Sequence, residues 1–96
     1  MTPERRKLWK KEVTAERLLK HVDVDAVLAA PENADKTPEQ IADEIIDAIA
    51  AATPWSVILP GVGLLIDAVE APVVKAIAHG IIHATVKKKR EKGAEA

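Results

Sequence analysis

The sequence predicts an all-α fold. The architecture is a small helical bundle of three main helices, plus a short helix and a Pro/Gly-broken apolar hairpin segment. Two observations carry this reading. Thr-Pro occurs at 2–3, 37–38 and 53–54, each time placing a hydroxyl N-cap before a proline at the first helical position. Apolar residues also recur at helical spacing along 38–52 and again along 72–89.

The first helix is expected from Pro3 to Val22. Leu8, Ala15, Leu19 and Val22 share one face, with Leu18 beside it, while Trp9 and Val13 fall off that face. Asp23 or Asp25 then caps a short helical turn through Val27, Leu28 and Ala29, closed by Pro31. Residues Pro31 to Lys36 are rich in Pro, Asn, Asp and Glu and read as a loop.

The second main helix runs from Pro38 to Ala52. Thr37-Pro38-Glu39-Gln40 is a capping box, with Gln40 placed to reach back to the Thr37 amide. Ile41, Ile45, Ala48, Ile49 and Ala52 fall in one arc, and Asp43, Glu44 and Asp47 occupy the opposite side. From Trp55 to Ile66 the chain carries no charge, and Pro60-Gly61 with Gly63 breaks the run into a turn or a kinked pair of short helices.

The last helix is expected from Pro72 to Lys89, with Gly93 beyond its end. Its apolar residues, among them Val73, Val74, Ile77, Ala78, Ile81 and Ile82, span about 200° at helical spacing. Lys75, His79, His83 and Lys87 form a slowly drifting polar stripe. An unbroken helix back to Asp67 would put Asp67 and Glu70 inside the apolar arc, so a break is expected at Pro72. The whole chain reads as one helical domain over 1–96: a basic region at 1–30, a loop at 31–37, a helical core at 38–90 and a tail at 91–96.

Composition limits the function. The chain is 48% hydrophobic and 30% charged with net charge −1, which excludes a disordered charged tail or a collagen-like repeat, while its length of 96 residues excludes a multidomain enzyme. It has no cysteine, which removes a disulfide framework and a thiolate zinc site. The apolar content is mostly Ala, Val and Ile, which bury little area per side chain, so association with another surface would add burial that a domain this small lacks.

The near-zero balance hides an asymmetry: +4 over residues 1–20, −9 over 21–70 and +4 over 71–96. Opposite charges align surfaces, so the basic ends are expected to fold back on the acidic middle or to pair with it in a neighbouring copy. A polyanion bound by the ends is the sharper alternative.

No constellation carries chemistry. His79 and His83 have the i, i+4 spacing of two metal ligands, but the remaining histidine is His21, and Lys75 and Lys87 bracket the pair. No metal or other cofactor is expected. Asp43, Glu44 and Asp47 lie on a wet face, the wrong place for a raised carboxyl pKa. Ser56 and Thr85 lack a glycine frame for a nucleophile, and Pro60-Gly61-Val62-Gly63 lacks the Gly-Lys-Ser/Thr ending of a phosphate loop. Lys87, Lys88, Lys89 and Arg90 complement the negative end of a helix and are the candidate anion contact.

The chain is therefore expected to be no enzyme but a structural or interaction module. It would assemble through its apolar C-terminal half, as a homo-oligomer or as a small subunit of a larger, virion-type particle. Trp9, Trp55, Val73, Ile77, Ile81 and Ile82 are the expected interface residues, with itself or another protein subunit as partner and no small-molecule substrate. A membrane-active or holin-like protein is the alternative, and a nucleic-acid-associated protein using the basic ends comes after it, without a motif to support it. The apolar run at 55–66 is shorter than the roughly 20 residues a span needs. No basic and apolar leader opens the sequence, so the expected location is cytoplasmic or virion-associated.

Overall fold

The computed structural model describes residues 2–95. It is all-α, and no strand occurs among the described residues. The helices are α1 (Pro3–Glu12), α2 (Ala15–Leu19), α3 (Val24–Ala29), α4 (Pro38–Ala52), α5 (Trp55–Ile58) and α6 (Ala71–Glu95), with 3-10 turns at Pro31–Asn33 and Gly63–Leu65. The three main helices are α1, α4 and α6.

The longest helix organises the rest. α1, α2 and α4 each pack chiefly on α6. A 25-residue helix is about 37 Å long, so α6 can lie only along the 42 Å axis of a molecule that measures 42 × 25 × 19 Å. The radius of gyration is 14.0 Å, above the roughly 12.5 Å of a compact chain of this length, and the helical spine accounts for the excess. Val74, Ala78, Ile82 and Val86 form its fully buried seam. Positions four apart rotate by about 40° each, so the seam turns around the spine. Its start meets α1 through Arg5 and Glu70, and its end meets α3 and the following turn through Lys89–Asp25 and Arg90–Asn33.

α4 forms as its sequence dictates. Gln40 N donates to Thr37 Oγ1 at 3.2 Å, and Thr37 N donates to Gln40 Oε1 at 2.9 Å, closing the capping box. Ile41, Ala42, Ile45, Ile46 and Ile49 are buried. α4 runs antiparallel to α6, because Asp47 pairs with Lys75 and Asp43 with His79 in reverse order.

The 3–22 segment is two helices rather than one. Val13 closes α1, its N–H donating to Trp9 O, and extended Thr14 caps α2 by accepting from Arg17 N at 3.3 Å. Breaking the helix resets its angular register. Arg5, Trp9 and Val13 then turn inward, and Trp9 and Val13 are buried core residues instead of lying off the packed face. At the next junction Asp23 caps α3 through the Ala26 amide.

Thr53 is not a hydroxyl cap. It closes α4, its N–H donating to Ile49 O at 2.9 Å, and the one-turn α5 begins from Pro54 with no side-chain cap. The apolar segment does break into two short helical turns. Between them Val62 N donates to Leu59 O at 3.3 Å, and Gly61 has φ +86°, giving the Pro-Gly turn whose second central residue needs a positive φ. Gly63 is required for a different reason: a Cβ there would stand 2.1 Å from the Trp55 carbonyl oxygen.

α6 is longer than its sequence pattern suggested. It starts at Ala71, leaves Pro72 in the first turn where a missing amide costs nothing, and runs through Glu95. Gly93 therefore lies within the helix, and so does most of the expected 91–96 tail; residue 96 lies outside the described residues. Before it, Asp67 Oδ1 accepts from the amides of Val69 and Glu70, and Ala71 N donates to Asp67 O. This capped turn leads straight into the helix and carries Glu70 into the interior.

Candidate interaction surface

The basic ends fold back on the acidic middle within one chain. Lys75–Asp47, His79–Asp43 and Lys89–Asp25 each approach to 2.8 Å, and Arg5–Glu70 to 2.9 Å. Arg90 donates to the carbonyls of Lys36 and Asn33, which ties the 31–36 turn to the last third of α6. These pairs are half or more exposed on at least one side, except at Glu70, so most of them orient the helices more than they stabilise them.

Glu70 is the exception, at 7% exposed. Arg5 Nε and Nη2 each donate to its carboxylate at 2.9 Å, and Trp9 Nε1 donates at 2.5 Å. The Arg5 guanidinium also lies 5.4 Å from the centre of the Trp9 ring and donates to Leu65 O. Hydrogen bonding from Arg5 is the main reason that the Glu70 carboxyl is held below its ordinary range; desolvation opposes this, and the Trp9 bond adds to it. A carboxylate held ionised in this way is a structural anchor and the opposite of a general acid. The sequence did carry a signal for it, since Glu70 fell inside an apolar arc and so required a buried partner.

The pairing decides what α6 shows to solvent. Lys75 and His79 lean over α4, Lys75 pairing with Asp47 and His79 lying beside Asp43. The opposite face is left to Val73, Ala76, Ile77, Gly80 and Ala84, which carry no charge over three turns. Ala76, Gly80 and Ala84 are exposed, and Val73, Ile77 and Ile81 are half-buried. A Cβ added at Gly80 would meet nothing within 4 Å.

Of the expected interface residues, Trp9 and Ile82 are corrected. Both are completely buried in the chain's own core, Trp9 because α1 ends at Glu12 and Ile82 because it sits on the α6 seam. Trp55, Val73, Ile77 and Ile81 remain half-buried. The sequence missed the most exposed aliphatic side chains: Val57 at 53%, Leu64 at 82%, Leu65 at 51% and Val69 at 69%. For Val57, Leu64 and Leu65 the signal was the uncharged 55–66 run, too long for the two short turns to bury. Trp55, Leu64, Asp67, Ala68 and Ala71 are among the residues that line a shallow groove of about 450 Å³.

The candidate anion contact divides. Lys89 and Arg90 are engaged within the chain, while Lys87 and Lys88 are exposed. The His79 and His83 rings stack with centroids 6.1 Å apart. His79 Nε2 lies 2.8 Å from Asp43 Oδ1 but off the line of a hydrogen bond. No group of three or more His, Cys, Asp or Glu among the described residues could hold a metal ion. Thr85 Oγ1 donates back to Ile81 O at 2.9 Å, which occupies its proton in the helix. No helix among the described residues is long and apolar enough to cross a membrane.

No family model matches the chain, and no curated protein or solved structure is significantly similar to it.

Proposed function

We propose that the chain is a non-enzymatic assembly module that associates with a second copy of itself through the outward face of α6. The observation that carries this is the charge-free strip Val73, Ala76, Ile77, Gly80 and Ala84 on the solvent side of the spine. A surface helix ordinarily turns its charges outward and its apolar stripe inward. Here Lys75 and His79 are drawn sideways to α4, and the apolar arc continues around to solvent. An uncharged face meets its own copy without opposing like charges, and exposed apolar surface of this kind marks contact sites. Homo-oligomerisation is also a route into a larger particle built from many copies.

Light scattering on the purified chain tests this. The wild type is expected to give a mass above 10.3 kDa that rises with concentration. Ala76→Asp combined with Ala84→Asp should return it to the single-chain mass with an unchanged helical signal, since both positions are exposed. A wild-type chain that stays single at high micromolar concentration removes the reading.

A further inference from the structure

We propose that the Leu64–Leu65 turn and the basic face of α1 form a docking surface for an anionic lipid bilayer. This goes beyond self-association, because it uses a different part of the molecule.

Two observations meet here. Leu64, Leu65 and Val69 are the first half of it. Leu64 is 82% exposed, and the turn that carries it is nonetheless held through its neighbour. Leu65 N donates to Val62 O at 2.9 Å, and Leu65 O accepts from Arg5 Nη2 at 3.1 Å. The leucines are held outward by a pinned 3-10 turn and do not hang from a loose tail. The second half is charge. The Arg5 clamp brings the first turn of α1 against this lobe. Arg6, Lys7, Lys10 and Lys11 on that helix are exposed and make no ion pair among the described residues.

The acidic groups nearby do not cancel them. Glu70 is paired with Arg5 and bonded by Trp9. Exposed Glu4 and Asp67 oppose two of the four free cations and leave the others in excess. The surface is thus aliphatic at its tip and positive beside it, which is the composition that buries side chains at the acyl boundary and leaves Lys and Arg among anionic headgroups. A protruding leucine suits fluid acyl chains, which conform to it, whereas a protein partner would have to supply a preformed pocket. Contact is from one side only, with no span across the bilayer.

Phosphatidylcholine vesicles with and without phosphatidylserine test this on the full chain, by co-sedimentation and by Trp55 emission. Trp55 lines the same groove as Leu64, so its emission should shift to the blue on docking. The bound fraction is expected to rise on the order of tenfold or more with phosphatidylserine and to fall with added salt. Leu64→Asp, and separately Lys7→Glu with Lys10→Glu, should each abolish the rise while leaving the thermal midpoint in place. No binding, equal binding to neutral vesicles, or binding that survives Leu64→Asp overturns the proposal. A scattering mass that drops in Leu64→Asp without any vesicle binding assigns the turn to a protein contact and also overturns it. Self-association is scored separately, from the mass of the wild type without vesicles.

Discussion

Trp9 Nε1 donates to Glu70 Oε2 at 2.5 Å, joining the first helix to the start of the last across 61 positions of sequence. Arg5 completes the cluster from one turn before Trp9, with two bonds to the same carboxylate. An indole and a carboxylate buried together each satisfy a polar group that would otherwise be stranded.

This cluster makes stability depend on acid pH in a defined direction. The Glu70 carboxyl is lowered in the fold, chiefly by Arg5. Its contribution is complete above the ordinary glutamate value of about 4.3. It is lost as pH falls from there through the depressed folded value, because the unfolded chain takes up the proton first. Glu70→Gln should therefore flatten the fall in thermal midpoint below that pH and lower the midpoint at neutral pH. Equal acid sensitivity in wild type and variant would assign the fall to other carboxylates.

Gly63→Ala should destabilise the fold by about 1–3 kcal/mol or more. The added Cβ would lie 2.1 Å from the Trp55 carbonyl oxygen, a backbone atom that cannot rotate away. Urea unfolding measures this, and an unchanged midpoint would mean that α5 and the 63–65 turn part without cost.

Thr37→Ala removes the acceptor for the Gln40 amide at the start of α4. The expected loss is about 1 kcal/mol, read as a lower urea midpoint at constant slope.

Gly80→Ala acts in the opposite sense. The site is open in the single chain, and alanine in an exposed helix interior is favoured over glycine by about 1 kcal/mol. Dilute samples should show a higher midpoint. A lower midpoint that appears only at high concentration would reveal close packing of a partner over Gly80.

What the sequence revealed was what local chemistry decides. α4 was legible from end to end because its cap, its proline and its Ile41, Ile45, Ile49 stripe all lie within the element. The 3–22 segment was misread because its break at Thr14 only makes sense with Trp9 turned inward, and Trp9 turns inward toward Glu70, far along the chain. Thr53 carried the right residue type for a cap in a place where the preceding helix used it as an end. Which part of the α6 arc faced solvent depended on Asp43 and Asp47 of α4 lying beside His79 and Lys75, and Val86, outside the arc read from the sequence, closes the buried seam.

The spine also sets an order of events during synthesis. α1, α2 and α4 emerge from the ribosome before the helix on which they pack, and Val74, Ala78, Ile82 and Val86 arrive last. Until they do, Trp9, Ile41 and Ile45 lack the surface on which they pack, so the growing chain carries these apolar faces bare until α6 has been made. A fragment ending at residue 70 should accordingly behave as a collapsed, protease-sensitive chain, and adding the α6 peptide in trans should restore its protection.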